Sequence, residues 1–485
     1  TVNYVSSETA INNVAPYVGD GEYIVLTGDI VSTNEGNNLL LHSAYGAKNY
    51  TLDLNGHRLN AEVYAMASHS KGDYETLNIT IMDSSAEEGK PGKGLIGSDV
   101  ENMYGIIPQG NSNMTVTLKN LNVTGEWAFY TNGIYSGATI TAKDCVFVTN
   151  PLDPGFGAYL ASNHNITFTN CTFEGNAGVY IKSGNTTFNN CTIAGNGVYE
   201  KPSYNNNGAD GSGSGLVVDS TVGYQSPMVV TVNGGTISSV NGYAVEELSN
   251  AAEGVDKVCY SEVTVKGGTA LVSGALGDVY SENGVVTVLC ECGVQCVRQL
   301  TTLPTATKVG VQQYVCPDCG KVYGGKSVAA LPEGGIYASV DGGDFFEIGF
   351  VTDFDSERVG DSDIILGLQG KQTLTIYNVP YADAETSLNE GFEFNSAWFE
   401  INEGERVMND DYTYVYDNTV RVDLLEGAAD KGASANKAIT INLADYPDLS
   451  FITYFYDVAK DGGSYSSMGY IEIDMTSSVN VIAAV

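Results

Sequence analysis

"NITFTNCTFEGN" occupies residues 165–176, and "NTTFNNCTIAGN" repeats it at residues 185–196. The apolar residues of the two stretches align at offsets 0, +2, +5 and +7 from the first of them. Residues two apart lie on the same side of an extended strand, so each stretch predicts two short strands with a turn between them. A cysteine takes the same position in both copies, at Cys171 and Cys191.

The same frame recurs in nine copies whose starts lie 20 to 44 residues apart. Strand–turn–strand units that repeat with loops of variable length, without helices between them, predict a parallel β-helix. We therefore predict an all-β chain in which residues 1–289 form a right-handed parallel β-helix with an N-terminal cap. The copies begin at Ile24, Leu52, Ile79, Val116, Ile140, Ile166, Thr186, Val230 and Val263.

The residue at offset +4 supports this alignment, because it was not used to make it. In every copy it is Gly, Asn or Asp, the residues that best tolerate a left-handed backbone. The frame therefore predicts a left-handed turn between the two strands of each copy. The nine residues are Gly28, Gly56, Asp83, Asn120, Asp144, Asn170, Asn190, Gly234 and Gly267.

Stacked copies bring like residues together. We expect Cys145, Cys171 and Cys191 to form one internal stack of small buried side chains, and Phe168 to lie on Phe188.

The outward residue at offset +1 is mostly threonine. A regular threonine row is a feature of ice-binding solenoids, a minor alternative here, but threonine is also a good exposed strand residue. The row reads Val25, Asp53, Thr80, Thr117, Thr141, Thr167, Thr187, Thr231 and Thr264.

The charge of the chain restricts its partners. Its 485 residues include 58 acids against 22 lysines and arginines, for a net charge of −36. Such a chain is not expected to bind nucleic acid or an anionic membrane surface. No run of 18 apolar residues occurs, so we predict no membrane-spanning segment.

Five cysteines follow the repeats, in "VLCECGVQC" at 288–296 and "YVCPDCGKVYGGK" at 314–326. Two closely spaced pairs suit a tetrahedral zinc ion with four thiolate ligands. We predict structural zinc on Cys290, Cys292, Cys316 and Cys319, within a zinc-ribbon-like module at 290–329. Cys296 could replace a cysteine of the first pair, and two disulfides are the rival interpretation.

Residues 330–485 lose the frame but keep alternating, aromatic and β-branched runs between Gly, Asp and Asn turns. This pattern predicts a β-sandwich-like domain. "DFDSERVGDSD" at 353–363 and "DVAKDGG" at 457–463 could supply oxygen ligands for calcium. The last strand, "SSVNVIAAV" at 477–485, is expected to complete its own sheet, or else to join the sheet of a neighbouring copy in a homopolymer.

The sequence does not favour an enzyme. It lacks the N-T-D, G-D-D, G-H-G and R-I-K segments of polygalacturonase-like sites, and Arg58 is the only arginine of the solenoid. His57 is expected inside the solenoid or at its cap. Paired carboxylates, for example Asp53 and Asp83, could still meet in space, so a polysaccharide lyase or glycoside hydrolase stays the alternative.

"GEYIVLTGDI" at 21–30 and "YTLDLNGHRLNA" at 50–61 resemble the opening coils of adhesin-like β-helix surface proteins of anaerobic bacteria and methanogenic archaea. The "CPDCGK" segment fits the small cysteine-paired modules that such proteins often carry. The resemblance implies a non-catalytic extracellular or cell-surface protein, adhesive or structural. Its partners would be a surface glycan, a protein, or copies of itself in a filament, sheath or surface layer.

Overall fold

The computed structural model describes most of the chain, in two compact units, Thr1–Gln295 and Cys296–Val485. The predicted division at 289 and 329 is finer and stays a prediction. The described residues are 1–31, 38–42, 48–66, 69–70, 73–74, 76–97, 103–110, 112–131, 136–152, 154–202, 211–250, 258–332, 335–350, 362–365, 373–379, 393–411, 413–423, 438–460, 465–474 and 483–484.

The first unit is a right-handed parallel β-helix, as predicted. A seventeen-stranded parallel sheet, the first sheet, carries both strands of each repeat. Its strands are β1 (Val2–Val5), β2 (Glu22–Leu26), β3 (Ile30–Val31), β5 (Lys48–Asp53), β6 (Arg58–Asn60), β10 (Leu77–Met82), β11 (Leu95–Ile96), β13 (Met114–Lys119), β14 (Asn122–Gly125), β16 (Ser136–Lys143), β17 (Val146–Thr149), β19 (Asn163–Thr169), β20 (Thr172–Gly175), β22 (Gly184–Gly195), β24 (Met228–Ser239), β26 (Ser261–Val272) and β28 (Val286–Val288).

A nine-stranded parallel sheet, the second sheet, receives one further strand from each coil. The repeat frame did not include these strands. They are β4 (Asn38–His42), β7 (Glu62–Met66), β12 (Ile106–Gln109), β15 (Trp127–Thr131), β18 (Phe156–Leu160), β21 (Ala177–Ile181), β23 (Leu216–Thr221), β25 (Tyr243–Asn250) and β27 (Gly277–Ser281). A small antiparallel pair, β8 (His69–Ser70) and β9 (Asp73–Tyr74), lies in a loop.

Each of the nine predicted copies is one coil of this helix. The predicted pairing of the first strands is confirmed from the third copy to the ninth, where for example Ile166 pairs with Thr186. The second strands depart from the frame in three copies, because Ile30 takes the predicted place of Val31, Ile96 that of Ala86 and Leu271 that of Ala270. Ile24 pairs with Leu52, also as predicted. Beyond the ninth copy, β28 continues the stack.

The predicted register between the second and third copies was wrong by two residues. Tyr50, not Leu52, pairs with Ile79, and Leu52 pairs with Ile81. Tyr50, Leu52 and Leu54 are all buried. Three inward side chains at a spacing of two fit two registers equally well, so an alternating pattern alone could not choose between them.

Left-handed backbone occurs in most of the predicted turns, with φ between 48° and 80°. In the last copy Gly268 takes this conformation instead of its neighbour Gly267, while Asp83 and Gly28 are not left-handed. The asparagines of successive turns also bond to one another, since Asn190 donates to Asn170 at 3.0 Å. The left-handed residues of the frame are Gly56, Asn120, Asp144, Asn170, Asn190 and Gly234, and Asn55 precedes Gly56 with the same hand.

The core of the helix contains the predicted stacks. Cys145, Cys171 and Cys191 are buried in adjacent coils, and each thiol donates to the carbonyl two residues before it at 3.2 to 3.5 Å. The rings of Phe168 and Phe188 stack at 5.4 Å. These cysteines are therefore packing residues, as predicted.

The N-terminal segment lies against the first coil. After β1 it forms helix α1 (Glu8–Val14), whose first turn is capped by the Ser7 side chain, and a 3₁₀ turn at Ala15–Tyr17. Val5 and Ile11 bury their side chains there. In the described part of the chain, no helix is long and apolar enough to cross a membrane.

The second unit contains two larger sheets of mostly antiparallel strands, in agreement with a β-sandwich-like domain. A smaller antiparallel sheet precedes them, with strands β29 (Val297–Thr302), β30 (Gly310–Val315) and β31 (Val322–Val328). One larger sheet contains β32 (Gly335–Val340), β33 (Phe346–Phe350), β35 (Thr373–Asn378) and β40 (Ala438–Asn442). The other contains β34 (Ser362–Ile365), β36 (Glu393–Glu403), β39 (Asn418–Asp423), β41 (Leu449–Lys460), β42 (Tyr465–Asp474) and β43 (Ala483–Ala484). A hairpin of β37 (Val407–Met408) and β38 (Tyr414–Val415) and a 3₁₀ turn at Leu443–Asp445 complete the unit.

The chain end pairs within its own sheet, because Ala484 in β43 lies opposite Ile364 in β34. This agrees with the expectation that the last strand completes its own sheet. The rest of the predicted strand, 477–482 and 485, lies outside the described residues. Residues 353–361 of the first predicted calcium segment and 461–463 of the second do so as well.

Candidate functional site

The predicted zinc ligands lie on two tight turns. In the first, the Gly293 amide donates to the Cys290 carbonyl at 2.8 Å. In the second, between β30 and β31, the Gly320 amide donates to the Cys316 carbonyl at 2.9 Å. Both glycines have positive φ, 86° and 70°, which a residue with a side chain adopts only with strain. The glycine after each cysteine pair therefore closes the turn that presents the sulfurs.

The four turn cysteines, Cys290, Cys292, Cys316 and Cys319, come together. Their sulfur atoms all lie within 4.8 Å of one another. A zinc ion with four sulfurs at its usual bond length would place them about 3.8 Å apart, so the group fits such an ion. Cys296 follows the first pair closely in sequence and is buried, but its sulfur is not part of the group.

The two candidate catalytic carboxylates bind the backbone. Asp53 Oδ1 accepts from the amides of Asn55 and Ser84, both at 2.9 Å. The fully buried Asp83 accepts from Gly56 at 2.8 Å, from Ser85 at 2.9 Å and from Gly94 at 2.6 Å. These bonds fix loops between coils, so the two acids hold structure instead of forming an acid–base pair.

His57, which was named from the sequence, and His164 also have structural surroundings. His57 is partly exposed and does not lie inside the solenoid. Its Nδ1 lies 3.3 Å from Asp29 Oδ1. His164 is buried, and its Nδ1 accepts from the Ala138 amide at 3.2 Å. Burial lowers the pKa of His164 to about 4, so this ring is neutral at ordinary pH.

The outward threonine column is longer than predicted. The register between the second and third copies differs by two residues from the prediction. Thr51 therefore pairs with Thr80, and Asp53 pairs with Met82. Thr287 in β28 extends the other end. The column now reads Thr51, Thr80, Thr117, Thr141, Thr167, Thr187, Thr231, Thr264 and Thr287. Ice binding through it stays a prediction.

The second sheet carries a group of aromatic side chains that the sequence analysis missed. We call it the aromatic surface: Tyr64, Tyr104, Trp127, Tyr130, Phe156, Tyr159 and Tyr180. Trp127 is its centre, with ring centroids 5.0 Å from Tyr104, 4.8 Å from Tyr130 and 4.6 Å from Tyr159. Tyr180 joins through Phe156 at 5.2 Å. The rings from Tyr104 to Tyr180 thus form a continuous strip across successive coils, and Tyr64 is linked to Tyr104 through Glu62.

One end of the aromatic surface is open and the other is covered. Tyr64, Tyr104, Trp127 and Tyr130 are partly exposed, whereas Phe156, Tyr159 and Tyr180 are buried. Tyr224, from the loop after β23, packs on the buried end. The open end therefore offers aromatic faces to a ligand.

Glu62 adds a carboxylate to the open end. It accepts from the Tyr64 hydroxyl at 3.1 Å and from the Tyr104 amide at 2.9 Å. Burial, together with the charge of Glu62, raises the pKa of the Tyr64 phenol. Tyr64 therefore stays protonated, and the buried Glu62 holds Tyr64 and the Tyr104 backbone in place beside the rings.

A polar cluster lies next to the covered end. Lys182 Nζ is 3.7 Å from Asp219 Oδ2, and both side chains are fully buried. The Tyr180 hydroxyl donates to Asp219 at 2.7 Å. Burial raises the pKa of Asp219 to about 6, against the opposing effect of Lys182. The cluster ties β21 to β23 under the aromatic rings.

Comparison with known proteins supports the fold. A family model described as a right-handed β-helix region matches residues 78–255. No curated protein and no solved structure matches the chain. Since β-helices of this kind occur both in polysaccharide-cleaving enzymes and in non-catalytic proteins, the match is compatible with a surface or polysaccharide-related role of either kind.

Proposed function

We propose that this chain is a non-catalytic extracellular surface protein that binds a glycan through its aromatic surface. The observation that carries the proposal is the strip of rings centred on Trp127, open to solvent at one end. Sugar rings present apolar C–H faces that stack on aromatic rings, and hydroxyl edges that need hydrogen-bond partners. The hydroxyls of the partly exposed tyrosines provide such partners. A strip that crosses several coils suits a chain of sugars better than a single one.

Several acids of the solenoid already bind other groups of the protein, which supports a binding role over a catalytic one. Asp53 and Asp83 hold backbone amides, and Asp219 is paired with Lys182 out of reach of solvent. Hydrolysis of a glycosidic bond needs two accessible carboxyl groups on either side of that bond. Glu62, the carboxylate that bonds to Tyr64 and Tyr104 of the aromatic surface, is buried and already accepts two hydrogen bonds.

The resemblance of residues 21–30 and 50–61 to adhesin-like proteins supports a place on a cell surface. The proposal also includes a structural zinc ion bound by the four turn cysteines. Such a site is closed, so its role is to hold the two turns and not to catalyse. Self-assembly into a filament or surface layer is the competing structural role. Negative-stain images of the purified protein would show ordered polymers if that role were correct, and isolated particles under the present proposal.

The test uses the two tryptophans of the chain, Trp127 and Trp398. In a Trp398→Phe background, Trp127 is the sole tryptophan, and its fluorescence reports on the aromatic surface. We expect glycans identified on an array to change this fluorescence. We expect Trp127→Ala to weaken their binding at least about tenfold, as removal of a central aromatic anchor does.

Two controls accompany this test. Trp127→Phe keeps a ring in the strip and should retain part of the affinity, while Thr141→Ala, on the first sheet, should leave it unchanged. An array without any bound glycan, or equal affinity of Trp127→Ala and the parent protein, would overturn the proposal. Release of reducing ends or unsaturated products from a bound glycan would favour the enzyme alternative.

A further inference from the structure

We infer that the aromatic surface selects an uncharged glycan and discriminates against glycans that carry carboxylate or sulfate groups. This inference rests on the proposed function and adds the chemical class of the ligand. It follows from the charges of the second sheet, which differ from those of a site built for an anionic polysaccharide.

Among the residues that the structure describes, the strands of the second sheet offer no cation to a ligand. Its nine strands contain no lysine and no arginine, but five acids: Glu62, Asp219, Glu246, Glu247 and Asp278. The nearest base in sequence is Lys182, directly after β21. It is fully buried against Asp219, so it cannot reach a bound sugar.

An anionic sugar needs such a cation when it leaves water. A carboxylate or sulfate pressed against aromatic rings loses hydration, and a paired lysine or arginine usually compensates for that loss. At the open end the ligand would instead lie near the buried carboxylate of Glu62, which accepts from Tyr64 and Tyr104. The net charge of −36 adds a long-range repulsion.

The same environment suits hydroxyl groups. A sugar hydroxyl brings no charge to the rings and can exchange hydrogen bonds with a tyrosine hydroxyl. The buried Glu62 accepts from the Tyr64 hydroxyl, so that ring is oriented before a ligand arrives and its hydroxyl oxygen remains an acceptor. The surface therefore combines stacking faces with neutral hydrogen-bonding groups, and both favour neutral sugars.

The experiment measures binding to matched pairs of polysaccharides that differ only in charge. Suitable pairs are methyl-esterified and de-esterified galacturonan, desulfated and sulfated galactan, and unmodified and carboxymethylated glucan. For any backbone that binds, we expect the anionic member to bind at least about tenfold more weakly at low salt. The difference should shrink as salt is added, because screening weakens the repulsion.

Two variants separate the local effect of Glu62 from the general charge. Glu62→Gln should reduce the preference for the neutral member, whereas Glu174→Gln, which removes one charge from the first sheet, should not. Equal or tighter binding of the anionic members, abolished by Trp127→Ala, would overturn the inference while leaving the proposed function standing. Absence of binding to every polysaccharide would overturn the proposed function and the inference with it.

Discussion

Asp219 places a carboxyl group in a fully buried part of the second sheet. Its burial raises its pKa in the folded protein to about 6, above the value of about 3.9 expected in an unfolded chain. The folded state therefore holds an extra proton between these two values. The stability that this group contributes is fully present below about pH 4 and is lost as the pH rises through about 6.

We predict that Asp219→Asn weakens this dependence. Asparagine keeps the shape of the side chain but does not titrate, so the free energy of unfolding of the variant should fall less between about pH 4 and about pH 7 than that of the parent. Thermal or urea unfolding over this range measures the difference. Parallel pH profiles of the two proteins would show that Asp219 does not titrate in this window.

At the scale of the element, the phenylalanine stack of the first sheet connects neighbouring coils. Phe168 is fully buried, stacks on Phe188 and meets Phe173 edge to face at 4.8 Å. We predict that Phe168→Ala lowers the free energy of unfolding by about 3–5 kcal/mol, since it removes apolar contacts and leaves a cavity.

Thr167 is the matched control, because it is the next residue of the same strand and faces outward. Thr167→Ala should change stability by less than about 0.5 kcal/mol. Denaturant unfolding of the two variants and the parent measures both effects. Similar small losses in the two variants would mean that Phe168 is not in the core of the coil.

The first two strands were predictable in most coils because their spacing hardly varies there. In the third coil a longer connection separates β10 from β11, and the fixed offsets do not reach β11. Identical offsets let like residues stack, and the turn residues Asn170 and Asn190 have to be residues that accept positive φ. The pattern could not set the register at Leu52, because neighbouring apolar residues at a spacing of two fit two pairings. It also contains too little information to identify the buried ion pair of Lys182 and Asp219.

The aromatic surface was missed because loops of variable length precede the third strand of each coil. Tyr130, Tyr159 and Tyr180 pair with one another in the second sheet. In sequence they lie 14, 19 and 14 residues after the first residue of their repeats. No fixed offset reveals such a column. A second frame anchored on the tyrosines themselves would have found it.

At the scale of the whole molecule, the four-cysteine group was predictable from local spacing alone. Each pair occupies one turn, and a glycine that must adopt positive φ follows it. The sequence also left disulfides open as a rival, since pairs of cysteines serve either purpose. Sulfurs that all converge within 4.8 Å suit one shared ion.

We predict that the purified folded chain holds about one zinc ion, as a closed four-thiolate site does. Cys316→Ser should lose this metal, while Cys296→Ser should keep it, because Cys296 lies outside the group. Elemental analysis of the protein by mass spectrometry measures the metal content of the three proteins. Native mass spectrometry then tells the two interpretations apart. Bound zinc adds its own mass, whereas two disulfides would make the metal-free chain about 4 Da lighter than its reduced form. The lighter mass without metal would replace zinc with disulfides as the chemistry that holds these turns.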